Sequence, residues 1–262
     1  MKIAQITYSG FGGLGSVVFS LIFADKSKNN DWIIGFLGNQ RLDQDYNKLC
    51  KTLNLKYASF LSKPRNPLAA WISLYKWLIS EKPDAIICHT LNPIMVCRIY
   101  AWIYNVPLIG VEHTSNSVKP RNEKITSLLS MIFADKVIVL TELYLKELRN
   151  MHKIFFRPKK VVVIQNGIDL NLFKPSSEKL IQKKEFIIGM AARFTKTKKQ
   201  DFLIKVLECV HQINPNINLK LSLAGNGSEL DRVKNLAQNS FVNSKVIFEG
   251  LIEEKEIASW MN

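Results

Sequence analysis

The chain has 262 residues, 47% of them hydrophobic, with 36 lysines and arginines against 22 acidic residues, a formal charge of +14. That composition excludes a disordered or low-complexity chain and supplies apolar surface for one large or two medium cores. The basic excess is concentrated in residues 1–180, at 24 against 13, whereas residues 181–262 hold 12 against 9. It points to an anionic partner (phosphates, nucleic acid or anionic lipid) or to solubility charge alone.

Apolar runs and helical patterns alternate from the start. Lys2–Tyr8 reads as a strand and Gly13–Lys28 as mostly helix. Trp32–Leu37 is a second strand, Asp43–Leu53 a polar helix and Leu55–Phe60 a third strand. Pro64 and Pro67 then open a helix with Trp71, Leu74, Leu78 and Ile79 on one face. Asp84–Cys88 and Pro107–Val111 are apolar runs suited to strands buried on both faces, with a helix from Pro93 to Tyr104 between them. Helix Ile125–Phe133, strand Lys136–Leu140, helix Glu142–His152 and strand Lys160–Ile164 complete the series. Such alternation predicts βαβ units and a parallel sheet covered on both sides.

After the turn signal Asn166-Gly167 and the linker-like Lys174-Pro175-Ser176-Ser177, the pattern restarts. Strands Phe186–Ala191, Leu219–Ala224 and Val246–Phe248 alternate with helices Gln200–Ile213, Glu229–Gln238 and Glu253–Trp260. The domains expected are residues 1–175, Rossmann-like, and residues 176–262, a second and incomplete Rossmann-like domain. The fold class is α/β.

The segment Tyr8-Ser9-Gly10-Phe11-Gly12-Gly13-Leu14-Gly15-Ser16 joins the first strand to the first helix. Glycine permits a sharp turn and close approach of a ligand, and the helix that follows directs free N–H groups at the loop, so an anion fits there. Gly10, Gly12 and Gly15 satisfy the spacing G-x-G-x-x-G. A dinucleotide site also needs an acid at the end of the second strand. That strand ends Leu37-Gly38-Asn39-Gln40-Arg41, without a carboxylate. The spacing therefore argues against a nicotinamide or flavin enzyme; a purely structural turn stays open.

Cys50, Cys88, Cys97 and Cys209 form no C-x-x-C pair and read as free thiols of a reducing cytosol. The first apolar run is short and strand-like, so no secretory signal is expected. Ile94 to Val111 contains Arg98, Asn105 and Pro107 and reads as helix and strand rather than a membrane span.

Several stretches of the second half carry a resemblance. They are Val163-Ile164-Gln165-Asn166-Gly167-Ile168-Asp169, then Phe173-Lys174-Pro175, Ile188-Gly189-Met190-Ala191-Ala192-Arg193 with Lys198 five residues on, Leu223-Ala224-Gly225-Asn226-Gly227, and Val246-Ile247-Phe248-Glu249-Gly250. In this order, over nearly the whole chain, they resemble the family-four retaining glycosyltransferases of the GT-B type. The resemblance implies two Rossmann-like domains across a cleft and a hexosyl transfer from a nucleotide-sugar donor to a glycan or lipid-linked acceptor, in cell-surface polysaccharide synthesis. It assigns Arg193 and Lys198 to the donor diphosphate, where two cations offset the charge that grows as the glycosidic bond breaks, with no metal or other cofactor. It places Gly225, Asn226 and Gly227 at the nucleotide, Gly12 and Gly13 against donor phosphates and acceptor, and His113 beside the transferred sugar. Asn166 and Gly167 match the joining hinge. His89 is a weaker candidate, and Glu112 points either at the site or into the sheet layer. His152 and His211 read as packing residues.

Relatives carry two glutamates beyond the point where this sequence ends at Asn262. A truncated chain, binding donor poorly and nearly inactive, is therefore the expectation. Lys199 stands where a glycine is most common and is tolerable if the helix starts at Gln200. The alternatives are a non-catalytic binding or regulatory partner and a nucleotide-sugar epimerase of the same fold. Asp43-Gln44-Asp45 has the letters of a metal-binding D-x-D but follows no apolar strand directly. No nucleic-acid motif is present, and no nucleic-acid partner is expected. The expected location is cytoplasmic, with peripheral contact to an anionic membrane through Lys56, Lys63 and Arg65 beside Trp71, Tyr75 and Trp77; the spacing of Trp71, Leu74 and Leu78 fits a core face better.

Overall fold

A computed structural model gives the fold. It describes all residues except 11, 26–28, 64–65 and 176–184. Phe11, the predicted helix end at Lys28, Pro64, Arg65, Ser176 and Ser177 lie outside the described residues. The chain separates into two compact units, Met1–Gly167 and Ile168–Asn262.

The first unit is a seven-stranded, wholly parallel sheet in the order β3-β2-β1-β4-β5-β6-β7. Its strands are β1 (Lys2–Tyr8), β2 (Asp31–Gly38), β3 (Lys56–Leu61), β4 (Ala85–Cys88), β5 (Leu108–Glu112), β6 (Lys136–Val139) and β7 (Val161–Val163). Helices α1 (Gly13–Ala24), α2 (Gln44–Thr52), α3 (Leu68–Glu81), α4 (Ile94–Tyr104), α5 (Arg121–Phe133) and α6 (Glu142–Met151) connect them. β1 is buried on both faces: Ala4, Gln5, Ile6 and Thr7 are all fully covered. Its buried Gln5 and Thr7 are polar, so this central strand is not the continuous apolar run that burial on both faces favours.

Helix ends follow local chemistry. Pro67 and Pro93 stand just before α3 and α4, and Lys82 and Asn105 end those helices in the left-handed conformation, at φ 51° and 52°. Leu74 and Leu78 of α3 are fully buried, and Trp71, Tyr75 and Trp77 pack against the same core. The aromatics of α3 are thus core residues, and Lys56 pairs with the buried Glu81 at 2.8 Å. Pro120 precedes α5, which starts at Arg121, four residues before the predicted Ile125.

Strand order reverses between β2-β1 and β4-β5. In an open parallel sheet the crevice at the carboxyl ends of the two strands flanking such a reversal is where ligands bind. The loops after β1 and β4 meet there.

The second unit is a parallel sheet of three strands, β10-β9-β8, among the described residues. β8 (Phe186–Ala191), α7 (Gln200–Ile213), β9 (Leu219–Ala224), α8 (Leu230–Gln238), β10 (Val246–Gly250) and α9 (Glu254–Met261) follow one another in βα rhythm. Phe194, Ile204, Leu207, Leu221, Leu223 and Val233 form its core. β8 is an edge strand, and its Phe186, Ile187 and Ile188 are 66%, 51% and 38% exposed. Gly189 makes room for the indole of Trp260, whose Nε1–H donates to Ser222 Oγ at 3.3 Å.

Candidate functional site

At the reversal point, the loop after β1 is held from α2. The Tyr46 hydroxyl donates to the Gly12 carbonyl at 2.6 Å and accepts from the Gly12 N–H at 3.0 Å. Tyr46 is itself buried, stacked 5.9 Å from Phe36. Gly15 is required by the same residue, because a Cβ there would meet the Tyr46 ring. Gly13 differs. As the first residue of α1, its Cβ position has no atom within 4 Å, so packing does not demand glycine there. α1 begins without a side-chain cap; the Gly15 N–H donates to the Gly12 carbonyl at 3.1 Å, and the positive end of the helix dipole favours an anion beside the loop.

Asp43 is not part of a metal motif: its carboxylate accepts from the Asp45 N–H at 2.9 Å and caps α2.

β4 ends at Cys88, where its apolar run ends, and His89 is the next residue. Its ring is buried and bonded on both sides, with Nε2 2.9 Å from Gln5 Oε1 and Nδ1 3.1 Å from His113 Nε2. His113 follows β5 and is half-buried. Burial and the neighbouring His113 lower the His89 pKa to about 3. Burial and the Lys119 charge lower that of His113 to about 4. Both rings are neutral at physiological pH.

Glu112 points into the layer beneath the sheet. It is fully buried, ion-pairs with Lys119 and accepts from Ser127 Oγ at 2.6 Å and Tyr144 OH at 3.0 Å. Lys119 also donates to Tyr144 OH at 2.9 Å. Burial and the adjacent carboxylate push the Tyr144 phenol well above its usual range. This network fastens the segment from His113 to Lys119 onto α5 and α6. His211 packs on its own helix, Nδ1 lying 3.0 Å from the Leu207 carbonyl oxygen.

In the second unit Arg193 and Lys198 are both exposed in the loop between β8 and α7, and neither forms an ion pair among the described residues. The glycine turn after β9 braces that loop. Ala192 N–H donates to the Ala224 carbonyl at 2.9 Å, and Phe194 N–H to the Asn226 carbonyl at 2.9 Å. Gly225 and Gly227 have φ of +134° and +153°, and a Cβ at either would strike the carbonyl of Ala192 or Phe194. Only glycine lets the two backbones lie so close. Gln200 Nε2 donates to the Arg193 carbonyl at 3.0 Å. Lys199 caps α7 with φ 54° and ψ 44°, the left-handed conformation that glycine adopts freely. A shallow groove beside this loop is lined by Lys196, Lys199, Phe202 and Lys205, with Arg232 paired to Asp201 and Glu229.

Asn166 and Gly167 end the first unit, and Gly167 has no neighbour within 4 Å of a Cβ position. Asp169 begins the next turn, its Oδ1 accepting from Asn171 N–H at 2.8 Å.

Two Rossmann-like parallel units in tandem, with glycine turns closing the ends of β1 and β9, define the GT-B architecture. The Glycosyltransferase Family 4 model matches residues 11–172, and the Glycosyl transferases group 1 model matches residues 174–262. The chain belongs to this glycosyltransferase family. It is 32% identical over 103 residues to EpsF of Bacillus subtilis (strain 168), a candidate glycosyltransferase, in a match spanning 36% of this chain and 26% of that protein. Among solved structures it resembles Anabaena Alr3699/HepE in complex with UDP at TM-score 0.76 and 22% identity, covering 98% of this chain and 71% of that one. The UDP-GlcNAc 2-epimerase from Methanocaldococcus jannaschii matches at TM-score 0.64 and 16% identity, covering 99% and 76%.

Sequence reasoning missed Tyr46, Gln5 and Lys119. The one available signal was a lone aromatic in α2; Gln5 acts through a contact 84 residues away, and Lys119 pairs with Glu112 seven residues back across a loop without periodic pattern.

Proposed function

We propose that the chain is the catalytic body of a retaining glycosyltransferase, moving a hexosyl group from a nucleotide-sugar donor to a glycan or lipid-linked acceptor of the cell surface. One observation carries this: two cations, Arg193 and Lys198, unpaired among the described residues, stand on a loop rigidly braced by Gly225–Gly227. In the transfer, the sugar's anomeric carbon leaves the diphosphate oxygen and bonds the acceptor oxygen, whose proton departs. Negative charge grows on the diphosphate, and a preorganised pair of cations offsets it; this pair takes the place of a metal. Asn226 and its glycines shape the nucleotide side, Gly12 and Gly13 leave room for phosphate or acceptor, His113 faces the sugar, and Asn166-Gly167 is the hinge. The net charge and the free cysteines support a cytoplasmic protein resting on an anionic membrane; among the described residues no helix is long and apolar enough to cross one.

The test is a thermal-shift panel of nucleoside diphosphates followed by product analysis with the matching sugar nucleotide. Stabilisation by one diphosphate should fall roughly tenfold in affinity in Arg193→Ala and Lys198→Ala, a loss of the size typical for a charged hydrogen-bond partner. Unchanged affinity in both variants would remove the loop from the site. An isomerised donor, in place of free nucleotide and glycoside, would make the chain an epimerase. In a transfer-competent form of the protein, Gly13→Val should keep the fold and abolish transfer.

A further inference from the structure

The hydrogen bonds behind His113 have a fixed direction. Gln5 Nε2 lies 3.3 Å from the Val18 carbonyl of α1, which can only accept. The amide nitrogen therefore faces Val18, and Oε1 faces His89. An oxygen that can only accept requires Nε2–H on His89. A neutral His89 then has a bare Nδ1, and its partner among the described residues is Nε2 of His113 at 3.1 Å. That nitrogen must carry the proton, so Nδ1 of His113 is left as a lone pair. Gln5 and His89 are both buried, so water does not compete for these positions.

We propose that Gln5 and His89 are positioning residues that lock His113 in its Nε2–H tautomer, so that Nδ1 accepts a hydrogen bond from a hydroxyl of the bound sugar. The consequence is selective. A lone pair attracts a hydroxyl hydrogen and repels a phosphate oxygen, so His113 meets the donor at its sugar and leaves the diphosphate to other residues. A protonated His113, donating from both nitrogens, would do the reverse. The sugar as ligand rests on the glycosyltransferase reading above; the tautomer does not.

Long-range proton–nitrogen spectra of the isotopically labelled chain resolve imidazole tautomers, and the four histidines are assigned by single His→Gln variants. At neutral pH His89 and His113 should each show one tautomer, with the proton on Nε2. In His89→Phe, His113 should exchange between both tautomers. Should that variant fail to fold, Gln5→Met frees the same row from its other end and should give the same exchange. A proton on Nδ1 of His113 in the unaltered chain, or an unchanged His113 spectrum in the variant that folds, overturns the proposal. Titration with UDP-glucose should move the His113 Nδ1 signal, and UDP alone should not. Movement with UDP overturns the assignment to a hydroxyl. No movement with either probe overturns UDP-glucose as the donor of this chain, and the tautomer stands on the first spectra.

Discussion

Lys199 holds a left-handed backbone at φ 54°, where an L side chain crowds the following carbonyl at a cost of roughly 1 kcal/mol. Lys199→Gly should therefore raise the urea midpoint of the second unit by about that energy, net of glycine's greater freedom when unfolded. The opposite holds at the glycine turn. Gly225→Ala sets a Cβ against the Ala192 carbonyl at φ +134° and should cost roughly 1–3 kcal/mol in the same assay. The histidines make stability pH-dependent. His89 and His113 titrate near 3 and 4 in the fold, against an ordinary 6.5. Between those values the unfolded chain binds protons that the folded one does not. The first unit should thus be fully stable above pH 6.5 and lose up to about 1.4 kcal/mol per histidine for each unit of acidification below it. Denaturation midpoints at pH 7 and pH 5 measure this, and His113→Gln should flatten the dependence.

At the scale of the element, the segment after β5 is shaped by one buried ion pair. Lys119→Met leaves the Glu112 carboxylate buried with Ser127 and Tyr144 but without its cation, and should cost about 3–5 kcal/mol. The double variant Glu112→Leu, Lys119→Met should recover much of that loss. Recovery in a double-mutant cycle identifies an uncompensated charge rather than lost packing. These elements also show what a sequence discloses. Lys2–Tyr8, Phe186–Ala191, Gln200–Ile213 and Leu219–Ala224 are found with the bounds their hydrophobic patterns predict. α5 begins earlier than predicted because its first turn, Arg-Asn-Glu-Lys, is polar and only Pro120 marks it. The glycine turn is legible because close backbone approach at positive φ demands glycine at 225 and 227, whereas Arg193 and Lys198 rest on the resemblance alone. Gln5 and His89 are not legible, since a bond spanning 84 residues leaves no local pattern.

At the scale of the molecule, each unit has its own core. Residues 1–167, with every strand of their sheet present in the fragment, should unfold cooperatively when expressed alone. Residues 168–262, as a fragment, should fold but associate as concentration rises, because among the described residues β8 is paired on one side only and carries exposed Phe186, Ile187 and Ile188. Light scattering across a dilution series checks this, and Ile187→Lys should suppress the association.

That edge also sets a colloidal limit. Two copies can lengthen one sheet by laying β8 against β8, and the repulsion that opposes them is the +14 charge. Salt that screens this charge over about 10 Å at 0.1 M weakens the repulsion while leaving the apolar contact intact. Purification at low ionic strength should keep the protein dispersed, and the high-salt buffers that protect many basic proteins should make this one cluster.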